Sequence, residues 1–538
     1  MKITGYVVFI VILSVVFYTC SEKQNRESSE IKRTLSFGVL EGSIIDDDTG
    51  NPVQARVYIR GTGDNLYMAD KCLSYNSPQF GKRIGYTGEH FTTIGNTFTV
   101  KLPEGMVNII IERGKEYIPI EEELAITAGQ SVTKEFALKR WINMASKGWY
   151  SGDLHVHRPL KDLGDLLNAE DLNVAVPQTV WNSSKEPDLA RWLEKSDNNC
   201  VISVDGNHVF SVISSEIERS KNSAVLMHHI GKTILPVSEY EEKDLPNIPL
   251  IEKARAAGGY IDVEKPWWPE SHIDVAAGNA DFVGILNNHL TYRSYLPEQQ
   301  RNRTEFRDDY PEGAKGYIAY VLDLYYAYLN CGFRVMPSAG SASGVFPNPL
   351  GYNRVYAKIN GDFSYESWFA ALKSGHSFAT NGPMLIMTAD NIMTGETVRV
   401  QDGKVHVICE IYSYNPVDRL EIIRDGEIVL TVEPKLTDNS AVSEVDIPVT
   451  VSGWIVARCF EKIEDTVRLA HTAPVFTEVE GKPFLPKKYA VDYFLRKTRE
   501  LIVRAETGEY PSEESRDAAM GVYQRAEALF ENLLEKSQ

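Results

Sequence analysis

The spacing of apolar residues changes character three times along the chain, and this succession of periods limits the available folds more than any other feature. From Gly38 to about Leu138, short runs such as "GVLEGSIID", "ARVYIRG", "TFTVKLPEG" and "VNIIIERG" alternate apolar with polar residues and are broken by turn clusters such as "DDTGNP". A period of two puts every second side chain on one face of a strand, so this stretch predicts a small β-sandwich over 37–139. From 140 to 392, strand-like runs ("LNVAVPQ", "ADFVGIL", "FRVMPSAG") alternate with helical ones ("PLIEKARAAGG", "KGYIAYVLDLYYAYLNCG"). That repetition predicts an α/β unit with a largely parallel sheet or barrel, in which chemistry gathers at the carboxyl ends of strands. Between 393 and 485 the period of two returns in "KVHVICEIYS", "RLEIIRDGEIVLTV" and "GWIVARCF", predicting a second sandwich. From 486 the period becomes helical, with Val491, Phe494, Thr498 and Leu501 on one face and Val522, Ala526, Leu529 and Leu533 on another. "TGEYPSEES" separates the two, and the heptads are too few for a coiled coil, so a helical hairpin is expected. The fold class is multidomain, α/β plus all-β.

A length of 538 residues requires several cores, and the formal net charge of −18 has no compensating basic block, which disfavours nucleic acid or an anionic lipid face as a partner. The opening "MKITGYVVFIVILSVVFYT" has one early lysine and then an apolar run that ends at Cys20. This predicts a signal peptide over 1–19 and export to the cell envelope, periplasm or outer membrane. Cys20 resembles the lipidated cysteine of a bacterial lipoprotein, which implies a membrane anchor followed by a polar tether over 20–36. Phe17, Tyr18 and Thr19 are bulkier than usual before such a cysteine, and an uncleaved anchor or a simple signal peptide stays open. Five further cysteines, at 72, 200, 331, 409 and 459, show no CxxC spacing for structural zinc. Cys409 and Cys459 fall in one sandwich and are candidates for a disulfide.

In "GWYSGDLHVHRP" the period of two places Asp153, His155 and His157 on one strand face, with Leu154 and Val156 packed behind. Three potential metal ligands then converge, although paired histidines also occur as ordinary hydrogen-bonded residues. Asp153 or Glu216 would orient a water or act as base. In "DVEKPWWPE", Glu264 and Lys265 form a candidate buried pair, with the Lys265 ammonium able to stabilise an oxyanion or to replace a metal cation electrostatically. Trp267 and Trp268 are candidates for stacking on an apolar or sugar face, or for packing. Ser341, in "AGSASGVF", would be a nucleophile only with a base beside it.

Two resemblances extend this reading. "GSIIDDDTGNPVQARVYI" resembles the opening of carboxypeptidase-regulatory-like domains, which implies an accessory module. "GWYSGDLHVHRP", "AEDLNVAVPQTVWN", "GGYIDVEKPWWPE", "VGILNNHL", "LNCGFRVMPSAGSASGVFPNPLGYNRVY" and "SGHSFATNGPML", in that order, resemble the CehA/McbA branch of PHP-type metallohydrolases. The resemblance implies a distorted (β/α)7 barrel and metal-dependent cleavage of an ester or phosphoester. It implies ligands at His155, His157, Glu216, His229 (or its neighbour His228) and His289, with Asn288 and Ser341 near the substrate. Departures accompany it: Thr179, Val180 and Trp181 stand where many PHP enzymes carry an Asp-His pair, Lys265-Pro266 replaces His-Pro, and Ala342 and Gly344 replace the closing pair. One or two divalent ions (zinc, manganese or iron) are therefore expected rather than a trinuclear cluster. The competing expectation is a degenerate domain that has lost catalysis and binds glycan or another envelope component. Substrate and oligomeric state are not specified by the sequence.

Overall fold

The computed structural model describes residues 36–74, 89–182, 184–196, 199–219, 222–231, 245–292, 306–346, 348–464 and 466–538. The signal, Cys20 and all but the last residue of the tether lie outside them. The described part is a mixed α/β molecule with β-rich units before and after a central α/β region.

The N-terminal unit has two sheets. Phe37–Asp46 lies between Thr97–Pro103 and Ser131–Leu138 in one, and Arg56–Arg60 lies between Phe91–Thr93 and Gly105–Glu112 in the other. The alternation read from the sequence is the burial alternation: Phe98, Val100 and Leu102 face a core that also holds Leu40, Ile44, Val57, Ile109, Ile111 and Phe136.

In the α/β region, Val174–Pro177 runs parallel to both Trp149–Val156 and Val209–Ser211. The short Val180–Trp181 strand continues it and pairs in parallel with Ser215–Arg219. Ser215–Arg219, Ser223–His228 and Tyr260–Val263 are antiparallel, whereas Tyr260–Val263, Phe282–Leu286 and Met336–Ala339 are parallel. The chain after Ala339 then bonds back to the first strand: the Ala342 N–H donates to the His155 carbonyl at 2.7 Å and the His157 N–H to the Ser343 carbonyl at 2.8 Å. The strands thus form two sheets, joined along the chain between Pro177 and Val180 and tied together again by these two bonds after Ala339. The helix Gly313–Asn330 packs outside these sheets and is buried along most of its length, as its almost uninterrupted apolar sequence requires.

The second β-rich unit begins one strand before the sequence division at 392, because Met384–Ala389 pairs with Lys404–Tyr412, which pairs with Ser440–Pro448. The division is no break in hydrogen bonding either. Trp149–Val156 pairs with Arg354–Lys358, which pairs with Ser377–Thr380, which pairs with Leu469–Thr472 of the facing sheet. Cys409 and Cys459 are buried in this unit's core as free thiols, not joined to each other.

Lys488–Thr507 and Glu513–Glu535 form the expected hairpin. Val491, Phe494, Thr498 and Leu501 are buried, as are Val522 and Ala526, while Tyr523 and Phe530 complete the second face in place of the half-buried Leu529 and Leu533. The hairpin docks on the α/β region, with Phe494 stacked 4.6 Å from Tyr328 and His272 Nε2 3.0 Å from the Thr498 hydroxyl. No helix among the described residues is long and apolar enough to cross a membrane.

Candidate metal centre

The first strand of the α/β region carries His155 near its end, and the chain leaves the strand at His157. His155 Nε2 and His157 Nε2 lie 2.9 Å apart. Glu216, on Ser215–Arg219, brings Oε2 to 3.2 Å from the first nitrogen and 3.1 Å from the second. Ligand atoms about 2.1 Å from a shared zinc-like ion stand about 3.0–3.4 Å from one another, so this triangle has the size of a coordination face. Among the described residues these three form the one cluster of His, Cys, Asp or Glu whose ligand atoms converge in this way.

The surroundings orient the triangle. Glu264, just past Tyr260–Val263, takes His155 Nδ1 at 3.0 Å and the Asn288 backbone N–H at 3.2 Å. A carboxylate holding the far nitrogen of a histidine fixes its tautomer and turns the near nitrogen outward as a ligand. Lys265 Nζ lies 2.8 Å from Glu264 Oε2 and 3.8 Å from Glu216 Oε1, with the Trp268 ring centroid 5.1 Å away. Glu216 therefore presents one oxygen to the histidines and the other to an ammonium. Trp181 closes the His157 side at 4.6 Å between ring centroids.

The charge balance follows from burial. Burial alone would make His155 less basic, but the Glu216 and Glu264 carboxylates outweigh it and raise its pKa to about 10. His157 is pushed down, by burial first. Glu216 and Glu264 resist the upward push of burial: the histidines hold Glu216 well below the usual carboxylate range, and Lys265 with His155 brings Glu264 to about 2. Burial acts against the Lys265 ammonium, yet Glu264, Glu218 and Glu216 hold its pKa above the ordinary lysine value. With neutral imidazoles, the Lys265 ammonium alone does not balance the Glu216 and Glu264 carboxylates. A proton on His155 meets that demand, and a divalent ion displacing the proton would meet it as well.

Other sequence candidates are placed differently. Asp153 shares the strand but turns away: its oxygens accept from the backbone N–H groups of His155 (3.0 Å), Ser341 (3.1 Å) and Gly351 (2.8 Å) and from the Ser341 hydroxyl. It ties Ser341 and Gly351 to the first strand, and it is the base beside the Ser341 hydroxyl, although three backbone N–H groups already occupy it. His229 is not in the cluster. Its φ of 54° lies just beyond the strand end, and its ring packs against Tyr260, Tyr365 and Phe369. Its neighbour His228 is wholly buried, 3.6 Å from Asp262 Oδ2. His289 borders the centre without joining the triangle. Its ring lies 5.3 Å from that of Trp267, and burial followed by the Lys265 charge brings it to about 3, so it is neutral. Asn288 contributes its backbone N–H to Glu264. Trp267 and Trp268 are 6% and 5% exposed. Trp267 packs edge-on against Tyr317 and Trp268 lies beneath Lys265, and both line a cavity of about 210 Å³ against the C-terminal hairpin.

Sequence reasoning missed Glu218. It sits two residues after Glu216, on the same strand face, and burial raises its carboxyl pKa, helped by Glu216 and Glu264 against the opposing Lys265 and His155 charges. The same period of two in "SSEIERS" was the signal that could have found it.

No known family description matches the chain, and no curated protein matches it. Among solved structures, the minor pilin GBS52 of Streptococcus agalactiae aligns with it at 16% identity over 20% of this chain and 45% of the pilin, with a TM-score of 0.16. The alignment spans less than half of the pilin's length.

Proposed function

We propose that the chain is a metal-dependent hydrolase of the CehA/McbA type, cleaving an ester or phosphoester at a centre formed by His155, His157 and Glu216. The observation that carries this reading is the convergence of Nε2, Nε2 and Oε2 within 3.2 Å of one another, with Glu264 behind His155. The two return bonds after Ala339 and the parallel pairing of Tyr260–Val263, Phe282–Leu286 and Met336–Ala339 support a distorted (β/α)7 barrel with the cluster near the carboxyl ends of its strands. A divalent ion of zinc, manganese or iron in such a cradle supplies Lewis-acid polarisation of the scissile group and a water activated near neutral pH. Glu264 keeps the proton on His155 Nδ1 and so leaves Nε2 free to bind. Lys265 neutralises Glu264 and the outer oxygen of Glu216, taking the place a second cation would fill, which favours one ion per chain over two. Glu218, half-buried beside this charge and raised in pKa, is the group suited to hold or move a proton. Asp153 is not, because its lone pairs are taken. Export and a lipid anchor at Cys20 belong to the same proposal, and a lipid mass on the mature N-terminal peptide that is lost in Cys20→Ala tests them.

Metal-loaded protein assayed on a panel of carboxylic esters and phosphoesters tests the activity. At least one substrate is turned over, Glu216→Gln abolishes turnover, and Glu218→Gln lowers it by roughly 10²–10⁴. A second reading, a catalytically silent module that binds glycan or another envelope component, is favoured by Trp181 and Lys265 standing where the resembling enzymes carry ligands. Bound metal without turnover on any panel member would select it.

A further inference from the structure

Three units meet around a cavity of about 180 Å³, bounded by the end of the strand Gly105–Glu112 in the first sandwich, by Tyr292 and Tyr352 of the α/β region, and by Tyr414, Glu461 and Arg468 of the second sandwich. Its charges are unevenly satisfied. Arg56 is held by Glu112 at 2.5 Å and by Glu170. Glu461 accepts from the Ser413 hydroxyl at 3.3 Å and from Asn415 at 3.1 Å. Two cations remain. Lys115 Nζ lies 4.2 Å from the Tyr352 ring centroid, and no carboxylate among the described residues is within ion-pair distance of it. Arg468 reaches Glu461 only at 3.6 Å, and its buried Nε has no hydrogen-bond partner. Burial, and then the positive fields of Arg468 and Arg354, push the Lys115 ammonium well below its ordinary value, against the opposing fields of Glu112 and Glu461. A half-buried ammonium without a carboxylate in contact, beside a second cation, gains from an anion that joins it.

We propose that this cavity binds an anionic saccharide, with its carboxylate or sulfate between Lys115 and Arg468. The rest of the lining suits a sugar ring better than a bare anion: Tyr292 and Tyr352 meet edge to face at 6.2 Å, and Tyr414, 45% exposed, stands beside Asn415. Tyrosine and amide side chains around a charged seat grip the apolar face and the hydroxyls of one ring. The volume admits a single ring. Nothing in this site depends on the metal centre.

Calorimetric titration of the metal-free full chain with glucuronate, glucose 6-sulfate, glucose and inorganic sulfate tests it. Glucuronate or glucose 6-sulfate binds, glucose does not, and inorganic sulfate binds more weakly than the sulfated sugar. Lys115→Met weakens binding by about ten-fold or more, as loss of a charged contact requires, and Arg468→Gln weakens it too. Both variants are compared at matched near-ultraviolet circular dichroism. The paired variant His155→Ala/His157→Ala binds as the parent does. Sulfate binding as tightly as the charged sugars would overturn the saccharide assignment. Absence of binding by every probe, or undiminished affinity in both cavity variants, would overturn the site.

Discussion

Two of the buried charge clusters among the described residues differ in form, and one of the two has converging metal-ligand atoms. Between the first sandwich and the α/β region, Arg140 bonds Asp171 at 2.8 Å and Glu116 at 3.1 Å, Arg113 bonds Asp171 at 3.1 Å, and Arg56 bridges Glu112 and Glu170. Tyr356 and the Met144 N–H complete Glu116. There each carboxylate faces donors. At the His155 centre, two imidazole nitrogens and a carboxylate oxygen face one another. Burial and charge are common to both, so neither identifies function. Converging lone pairs do, because a cation satisfies all of them at once.

The contrast breaks or holds on four variants. The largest effect belongs to His155→Ala/His157→Ala, which should remove most bound metal and lower hydrolysis by several powers of ten, about 4 kcal/mol or more at the barrier. Far-ultraviolet circular dichroism should stay unchanged. Arg56→Met should do the reverse: it leaves Glu170 buried without its partner, destabilises the fold by about 3–5 kcal/mol in urea titrations, and leaves metal content intact. Metal loss in that variant would erase the distinction between the clusters.

Glu116 gives a smaller, pH-dependent effect. Burial and then Asp171 raise its pKa from 4.5 to about 7 in the folded chain. Its contribution is therefore fully present below about pH 4.5 and is lost as pH rises through 7, by up to about 3 kcal/mol. Glu116→Gln should flatten the pH dependence of stability over that window without altering metal affinity. An unchanged slope would count against the buried, acid-flanked environment described for it. The smallest effect is Ser364→Ala at the N-cap of the helix Tyr365–Lys373, where the Ser364 hydroxyl accepts from the Ser367 N–H at 3.0 Å. It should cost about 1 kcal/mol in thermal unfolding with metal content unaffected.

The local periods were legible in the sequence because they are set by nearest neighbours: the strands of the first sandwich, the faces of the hairpin, and the placing of His155 with His157. What the sequence withheld depends on distant pairing. The strand Ser377–Thr380 bonds to Leu469–Thr472, so a sheet crosses a boundary that composition places at 392. Asp153 has the same parity as His155, yet Ser341 and Gly351 claim its carboxylate from far along the chain. His228 and His229 were indistinguishable because the strand end between them decides which way each points. Glu264 looked like half of an ion pair, and its bond to His155 appears only when Tyr260–Val263 is brought across from the first strand.

Metal content tests the central claim most directly. Protein purified without added metal, incubated separately with zinc, manganese and iron, desalted and analysed by inductively coupled plasma mass spectrometry, should carry about one equivalent of at least one of them. That equivalent should be absent from the His155→Ala/His157→Ala protein. Wild-type protein holding less than about a tenth of an equivalent of every ion would contradict the account.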